Sequence, residues 1–90
     1  MYSFRLTNEF EKDFKLCKKR GLDVSRINEI ISKITHDGVA PQETRPHKLS
    51  GAFSGLWECH VNSNWLLVWR QDDENRIIEF VATGSHSDIF

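Results

Sequence analysis

The residues in this 90-residue sequence best suited to chemistry are four histidines: His36, His47, His60 and His86. Imidazole titrates near neutral pH, so two histidines in one cleft can serve as a general base and a general acid. RNA suits such a pair because it carries its own nucleophile, the 2′-hydroxyl. A protein that deprotonates this oxygen and protonates the leaving 5′-oxygen cuts RNA without a metal. The residue types permit this chemistry without requiring it.

Each histidine also has an ordinary structural explanation. His36 falls in the last turn of a predicted helix, where a positive charge suits the helix dipole, and we assign it no functional role. His47 lies at the entry to a predicted sheet, where a surface position is common. His60 is explained equally well as an exposed strand residue, and His86 as a loop residue bonded to nearby backbone.

A metal site is the competing use of the same side chains. Cys59 and His60 are adjacent on a predicted strand and therefore point to opposite faces. Cys17 and Cys59 lie far apart and lack CxxC spacing. Because no closely spaced ligand pair remains, we predict neither a metal nor another cofactor.

Two predicted helices follow a short strand at residues 2–6, on which Tyr2, Phe4 and Leu6 share one face. The first helix begins with Asn8 as N-cap, with Glu11 completing a capping box, and it ends at Gly21. The second runs from an N-cap at Asp23 to Gly38. Its apolar stripe has helical spacing and consists of Ile27, Ile30, Ile31 and Ile34.

Three further strands are predicted at residues 56–61, 65–70 and 76–82. The first alternates, with Glu58 and His60 facing away from its apolar side, and the second is apolar on both faces, as a covered central strand is. The order β-αα-βββ predicts an α+β fold for residues 1–90 as a single domain. Its helical hairpin packs on one face of a small, mainly antiparallel sheet. We expect His60, with Trp65 or Leu66, on the other face, and His86 returned toward it.

Charge and composition limit the classes of protein to which this sequence can belong. The net charge is −1, with ten Lys/Arg against seven Asp/Glu in residues 1–50 and two against six in residues 51–90. This asymmetry is consistent with an RNA-facing surface or with two solvated helical faces. The sequence has neither a signal peptide nor an apolar run of membrane-spanning length, and its two cysteines suit a reduced compartment. We therefore expect a cytoplasmic protein that does not contact a membrane.

Three blocks of sequence resemble bacterial type II toxins of the RelE/ParE superfamily, in the YafQ branch. They are HKLSGAFSGLWECHV at 47–61, NWLLVW at 64–69 and TGSHSDIF at 83–90. The family pattern has a His-x-Leu-x-Gly entry, a Glu/Asp-x-His strand, an Asp-Trp-Leu-Leu strand and a closing Thr-Gly-Ser/Thr-His…Phe. The blocks occur in the family's order, and the resemblance runs from the first strand to Phe90.

The resemblance implies a RelE-like fold and an mRNA interferase that enters the A site of the 70S ribosome and cleaves mRNA. It also implies a cognate antitoxin that holds the toxin inactive in a hetero-oligomer. The family's catalytic and substrate-contacting positions fall on His47, His60, Trp65, His86 and Phe90. The packing of the terminal Phe90 is then expected to hold His86 over the RNA phosphate.

Two positions depart from the family pattern. Asn64, which we place among the catalytic residues, stands where the family has Asp. Ala82 stands where many relatives have an Arg able to stabilise phosphate charge. Two outcomes are open: Asn64 makes the toxin slow, or another carboxylate, Glu58 or Asp88, fills the role. Glu58 is the better candidate because it shares a strand face with His60. The cations available to contact substrate instead of that Arg are Arg45, Lys48 and Arg70.

Two other functions stay open at this point. One is a non-catalytic relative that binds RNA or an antitoxin, and the other is a ParE-like gyrase inhibitor. Several histidines in one cleft argue against the gyrase inhibitor, because binding to a target protein does not require them. In either toxin class, the basic stripe of Lys12, Lys15 and Lys19 is expected to attract an acidic antitoxin segment.

Overall fold

The computed structural model describes residues 1–90 and contains one mixed five-stranded sheet. The chain forms β1 (Ser3–Leu6), α1 (Asn8–Lys19), α2 (Val24–Asp37), β2 (His47–Lys48), β3 (Leu56–Asn62), β4 (Trp65–Asp72), β5 (Ile77–Gly84) and α3 (His86–Ile89). Two short 3₁₀ turns cover Gln42–Thr44 and Gly51–Phe53. The strand order is β1-β5-β4-β3-β2, with β1 parallel to β5 and all other pairs antiparallel.

The helix ends follow the sequence with one exception. Asp23 caps α2 by accepting a hydrogen bond from the Ser25 backbone N–H at 3.0 Å, and Gly38 ends that helix with a φ of 75°. The predicted cap of α1 at Asn8, with its capping box to Glu11, is wrong, because the Thr7 hydroxyl accepts from the Phe10 backbone N–H at 3.0 Å. Thr and Asn are both good N-cap residues, so the sequence alone does not distinguish Thr7 from Asn8. The predicted start of α1 is one residue late.

The core lies between the helices and one face of the sheet. It includes Ile27, Ile30 and Ile34 of α2, together with inward residues of the three central strands such as Leu67 and Phe80. The predicted central strand is confirmed, since β4 is the third of five strands and its first five residues are buried. The α+β fold with two helices against the sheet is likewise confirmed.

Three details differ from the sequence prediction. Tyr2 precedes β1 rather than sharing its apolar face; it is buried and its hydroxyl donates to Asp73 Oδ1 at 2.6 Å. The edge strand β2 and the terminal helix α3 were not predicted as elements. Both are short, with two and four residues, and owe their conformation to neighbouring parts of the fold rather than to a local apolar period.

No helix has both the length and the apolar character that crossing a membrane requires.

Candidate active site

The edge strand β2 brings His47 onto the sheet face that lies away from the helices. His47 is paired with Glu58 across β2 and β3, and its Nε2 lies 3.2 Å from Glu58 Oε1. Its Nδ1 lies 3.1 Å from the Arg45 carbonyl oxygen. The Arg45 carbonyl and the Glu58 carboxylate therefore fix the orientation of the His47 ring.

Glu58 is the buried carboxylate of this face. Only 3% of the residue is exposed, and its Oε2 is buried without a hydrogen-bond partner. Most buried carboxylates are paired, and leaving such an oxygen without a partner costs about 1–3 kcal/mol or more. Glu58 therefore brings a buried carboxylate next to His47 and His60.

His60 lies next to this pair on β3. Its ring centroid is 6.5 Å from that of His47, and its Nδ1 is buried without a partner. Burial lowers the pKa of His60 below its ordinary value, and the positive charge of Arg45 lowers it further. Glu58 opposes this shift, whereas His47 and His86 reinforce it. His60 is therefore neutral at physiological pH and able to accept a proton.

A small cavity joins His60 to the end of the chain. It has a volume of about 180 Å³ and lies where the β3–β4 turn faces the start of α3. His86 reaches it from the first position of α3, and Asn64 reaches it from the turn. The cavity is thus lined by His60, His86 and the residue that replaces the family's Asp, whereas His47 lies outside it; its other lining residues are Ser63, Leu66, Ser85 and Ser87.

The position of His86 is fixed by a capped and anchored α3. Ser85 and Asp88 form a capping box, and the Arg20 guanidinium donates to both Asp88 oxygens at 2.6 and 3.3 Å. Gly84, at a φ of 152°, allows the close approach of α3, since a Cβ there would lie 3.0 Å from the Asp88 side chain. The Arg20 and Ser85 hydrogen bonds hold the pKa of Asp88 far below its ordinary value.

The terminal aromatic packs beside the histidine. The Phe90 ring lies 5.1 Å from that of His86 and 4.8 Å from Phe53, which it meets edge-to-face. The Phe90 backbone N–H also donates to the His86 carbonyl at 2.9 Å. The last residue is therefore in contact with His86, although 45% of it is exposed.

Comparison with known proteins identifies the family. The model for "Bacterial toxin of type II toxin-antitoxin system, YafQ" matches residues 2–90. The chain belongs to the YafQ toxin family. It is 26% identical to the mRNA interferase toxin YafQ of Escherichia coli (strain K12) over 85 residues, which cover 93% of this chain and 90% of that protein. The predicted type II toxin class is thereby confirmed.

Solved structures agree with the fold. The YafQ chain in the crystal structure of the E. coli DinJ–YafQ complex superposes with a TM-score of 0.90 at 24% identity, over 100% of this chain and 99% of that one. A metal-bound toxin from Helicobacter pylori superposes with a TM-score of 0.89 at 26% identity, over the full length of both chains.

Two residues predicted to contact substrate lie elsewhere in this YafQ-family structure. Trp65 is 1% exposed within the core, and its indole N–H donates to Thr83 Oγ1 at 2.7 Å, so it has no free surface for RNA. Lys48 alternates with His47 and points to the opposite face, where its Nζ lies 5.5 Å from the Trp57 ring. The reason in both cases is strand alternation, which the sequence pattern did not resolve at these positions.

The other two predicted cations stay near the site face. Arg45 has a positive φ of 53° at the end of a 3₁₀ turn, which directs its carbonyl to His47 while its charge acts on His60. Arg70 lies farther along β4 and forms an ion pair with Glu79 at 3.3 Å. Arg45 is therefore the cation best placed to act at the histidine cluster.

Sequence reasoning left two supports of the site unassigned. The burial of Glu58 depends on pairing with β2, which has no signal of its own. The capping box of α3 was visible in the sequence as Ser85 followed three residues later by Asp88, a pattern that marks a helix start. Recognising it would have turned the predicted terminal loop into an anchored helix.

Proposed function

We propose that this protein, as one toxin domain over residues 1–90, cleaves mRNA in the ribosomal A site. The observation that carries the proposal is the position of His60 between two other histidines: His47, which lies next to the buried Glu58, and His86, which lines the same cavity as His60. The family match supports it, as does the similarity to the mRNA interferase toxin YafQ of E. coli. A match to YafQ also favours RNA cleavage over inhibition of gyrase.

In this proposal His60 is the general base. It is the neutral imidazole of the cluster, and it takes the proton from the 2′-hydroxyl as that oxygen attacks the neighbouring phosphorus. The P–O5′ bond breaks, and the leaving 5′-oxygen receives a proton from a histidine on the other side of the phosphate. His86, which faces His60 across the cavity, suits this acid role.

Arg45 supplies the positive charge that stabilises the phosphate as negative charge develops there. His47, held between the Arg45 carbonyl and Glu58, lies beside His60 and completes this side of the site without moving the proton. Asn64 donates or accepts hydrogen bonds without titrating. Phe90 keeps the His86 ring in place.

The proposed partners are the 70S ribosome with its mRNA and a cognate antitoxin. Structures of the E. coli relative in complex with DinJ support the antitoxin, and the exposed Lys12, Lys15 and Lys19 of α1 suit an acidic antitoxin segment. Co-expression with the protein encoded by an adjacent reading frame tests this part. A stable hetero-oligomer is expected, and no binding at micromolar concentration contradicts it.

The reaction is tested by cleavage of mRNA on programmed ribosomes. The proposal requires a 2′,3′-cyclic phosphate or a 3′-phosphate at the new end, and activity that survives chelation. Because a Helicobacter pylori relative has been solved with metal bound, the assay is repeated in EDTA with ribosome integrity monitored separately. Loss of cleavage in EDTA that zinc or magnesium restores contradicts a metal-independent mechanism.

A further inference from the structure

A second cavity lies on the same face of the sheet, next to the histidine cluster. Its volume is about 470 Å³, and its floor is formed by Leu56, Val68 and Ala82. Val68 is the strand partner of both Glu58 and Ala82, so all three side chains lie on one face. Val68 lies two residues along β4 from Leu66, which is the strand partner of His60. The cavity is therefore next to His60 on this face.

The wall between the two cavities is aromatic. Phe90 contacts His86 on one side and, with Phe53, lines the second cavity on the other. Phe53 and Phe90 are 40% and 45% exposed and meet edge-to-face, so together they present a contiguous aromatic surface. Aromatic rings beside an RNA-cleaving centre are suitable stacking partners for bases.

The opposite rim carries two carboxylates, Glu9 and Asp13 of α1. Neither forms an ion pair with a basic residue of the chain. Burial, with a contribution from the neighbouring Glu9, raises the pKa of Asp13, while a hydrogen bond from the Thr83 backbone N–H at 3.2 Å opposes the shift. The rim therefore offers acceptor oxygens and repels phosphate.

An apolar floor, aromatic walls and acceptors at the rim match a nucleobase better than they match the RNA backbone. We propose that this cavity binds a base of the mRNA next to the cleaved bond and selects bases that carry an exocyclic amino group. The amino group donates to Glu9 or Asp13, as cytosine amino groups donate to carboxylates in other complexes. The inference rests on the proposed function, because it takes the cavity's occupant to be the RNA that the histidines cut.

Binding is tested without the ribosome and without cleavage. Trinucleotides with 2′-O-methyl groups cannot be cut, and adenosine can be replaced by purine riboside, or guanosine by inosine, to remove only the amino group. The methyl NMR signals of Leu56, Val68 and Ala82 are followed during titration. We expect them to shift, with affinity falling roughly tenfold when the amino group is absent, as for one good base-edge contact.

Variants locate the contact. Asp13→Asn keeps an oxygen for the Thr83 N–H, and combined with Glu9→Gln it should abolish the difference between the paired trinucleotides. Glu11→Gln is the matched control, since Glu11 lies on the same helix but lines a different groove. Ala82→Leu should fill the cavity and weaken binding of every base. The proposal is overturned if the methyl signals do not shift on addition of RNA or shift only on addition of an antitoxin. It is also overturned if trinucleotides with and without the amino group bind with equal affinity.

The same nucleoside replacements in A-site codons distinguish the proposed base selection from the proposed cleavage of mRNA. At one codon position the wild-type protein should lose roughly tenfold in kcat/KM without the amino group, and the Glu9→Gln/Asp13→Asn variant should not. Equal sensitivity of wild type and variant at every position overturns base selection. If wild-type protein does not cleave at all while the methyl titration behaves as expected, the proposed cleavage is wrong and the base site stands.

Discussion

The two faces of the sheet are built from the same strands and differ in how completely their polar groups are satisfied. On the helix face, Cys59, Leu67 and Phe80 are 0% exposed and surrounded by apolar side chains. On the site face, the same strand β3 carries Glu58 and His60, each with a buried atom that lacks a partner. One face is an apolar core, and the other holds ionisable side chains beside buried apolar residues such as Leu66 and Val68.

This difference between the two faces predicts that substitutions on one face mainly affect stability and substitutions on the other mainly affect activity. Substitutions on the helix face remove buried apolar area and are expected to reduce stability. Substitutions on the site face remove groups whose native environment is already unfavourable, so they are expected to reduce activity with little loss of stability. The predictions below test this separation with variants on both faces.

The largest expected effect is that of His86→Ala. Removing a positioned acid or base costs about 10²–10⁴-fold in rate, and His86 is exposed, so the variant should keep its melting temperature. Phe80→Ala, its counterpart in the core, should instead lose about 3–5 kcal/mol of unfolding free energy. Single-turnover cleavage on programmed ribosomes and denaturant unfolding measure the two quantities. A His86→Ala variant that cleaves at the wild-type rate contradicts the acid role.

Deleting Phe90 is expected to have the next largest effect. The deletion removes both the ring that contacts His86 and the N–H that bonds its carbonyl, so His86 is no longer held in place. Misplacement of a catalytic group by about 1 Å can cost roughly 10²-fold, and the same single-turnover assay measures it. Phe90→Tyr, which keeps the ring, is the matched control. Full activity after the deletion shows that the terminal residue does not position His86.

How far the sequence predicted this site depends on the range of the interactions involved. The faces of β3 followed from alternation within one strand, so His60 and Glu58 were correctly placed together. The direction of Lys48 was not predicted, because β2 has only two residues and its orientation is set by pairing with β3. The sequence left Trp65 or Leu66 open for the face of His60, because β4 is apolar on both sides and gives no alternation to read. Leu66, the strand partner of His60, takes that place, and Trp65 lies in the core.

A smaller effect is expected from the carboxylates around His60. Glu58 raises the pKa of His60, opposing burial, so Glu58→Gln should lower the pKa further and reduce the rate. Asn64→Asp should raise the pKa of His60, increase the rate at neutral pH and move the acidic limb of the pH–rate profile upward. Each substitution should change the rate by about tenfold or less, because a shift of one pKa unit changes the ratio of protonated to neutral imidazole tenfold.

A double-mutant cycle sharpens this prediction, because the two carboxylates act on one imidazole. Glu58→Gln should reduce the wild-type rate more than it reduces the rate of Asn64→Asp. The measurement is the pH–rate profile of the four proteins. An unchanged or lower rate in Asn64→Asp shows that position 64 only shapes the cavity in this chain.

The smallest expected effect concerns the anchor of α3, which is exposed and screened by salt. Arg20 and Ser85 lower the pKa of Asp88 in the folded protein below the value of an unfolded chain, near 3.8. Its contribution is therefore complete above pH 4 and is lost as the pH falls through the lowered pKa of the folded state. ¹⁵N relaxation of Phe90 should show an ordered tail at pH 5 in the wild-type protein and a more mobile one in strong acid.

Asp88→Asn should make the tail mobile already at pH 5, because the variant has no charge to attract Arg20. The difference from wild type should disappear in strong acid, where Asp88 is protonated as well. Asp37→Asn is the matched control: the pKa of Asp37 is also lowered, to about 2, by Lys33 and His36, but it lies at the end of α2 away from the tail. Equal tail mobility in wild type and Asp88→Asn at pH 5 shows that the capping box and Phe53 hold α3 without the ion pair.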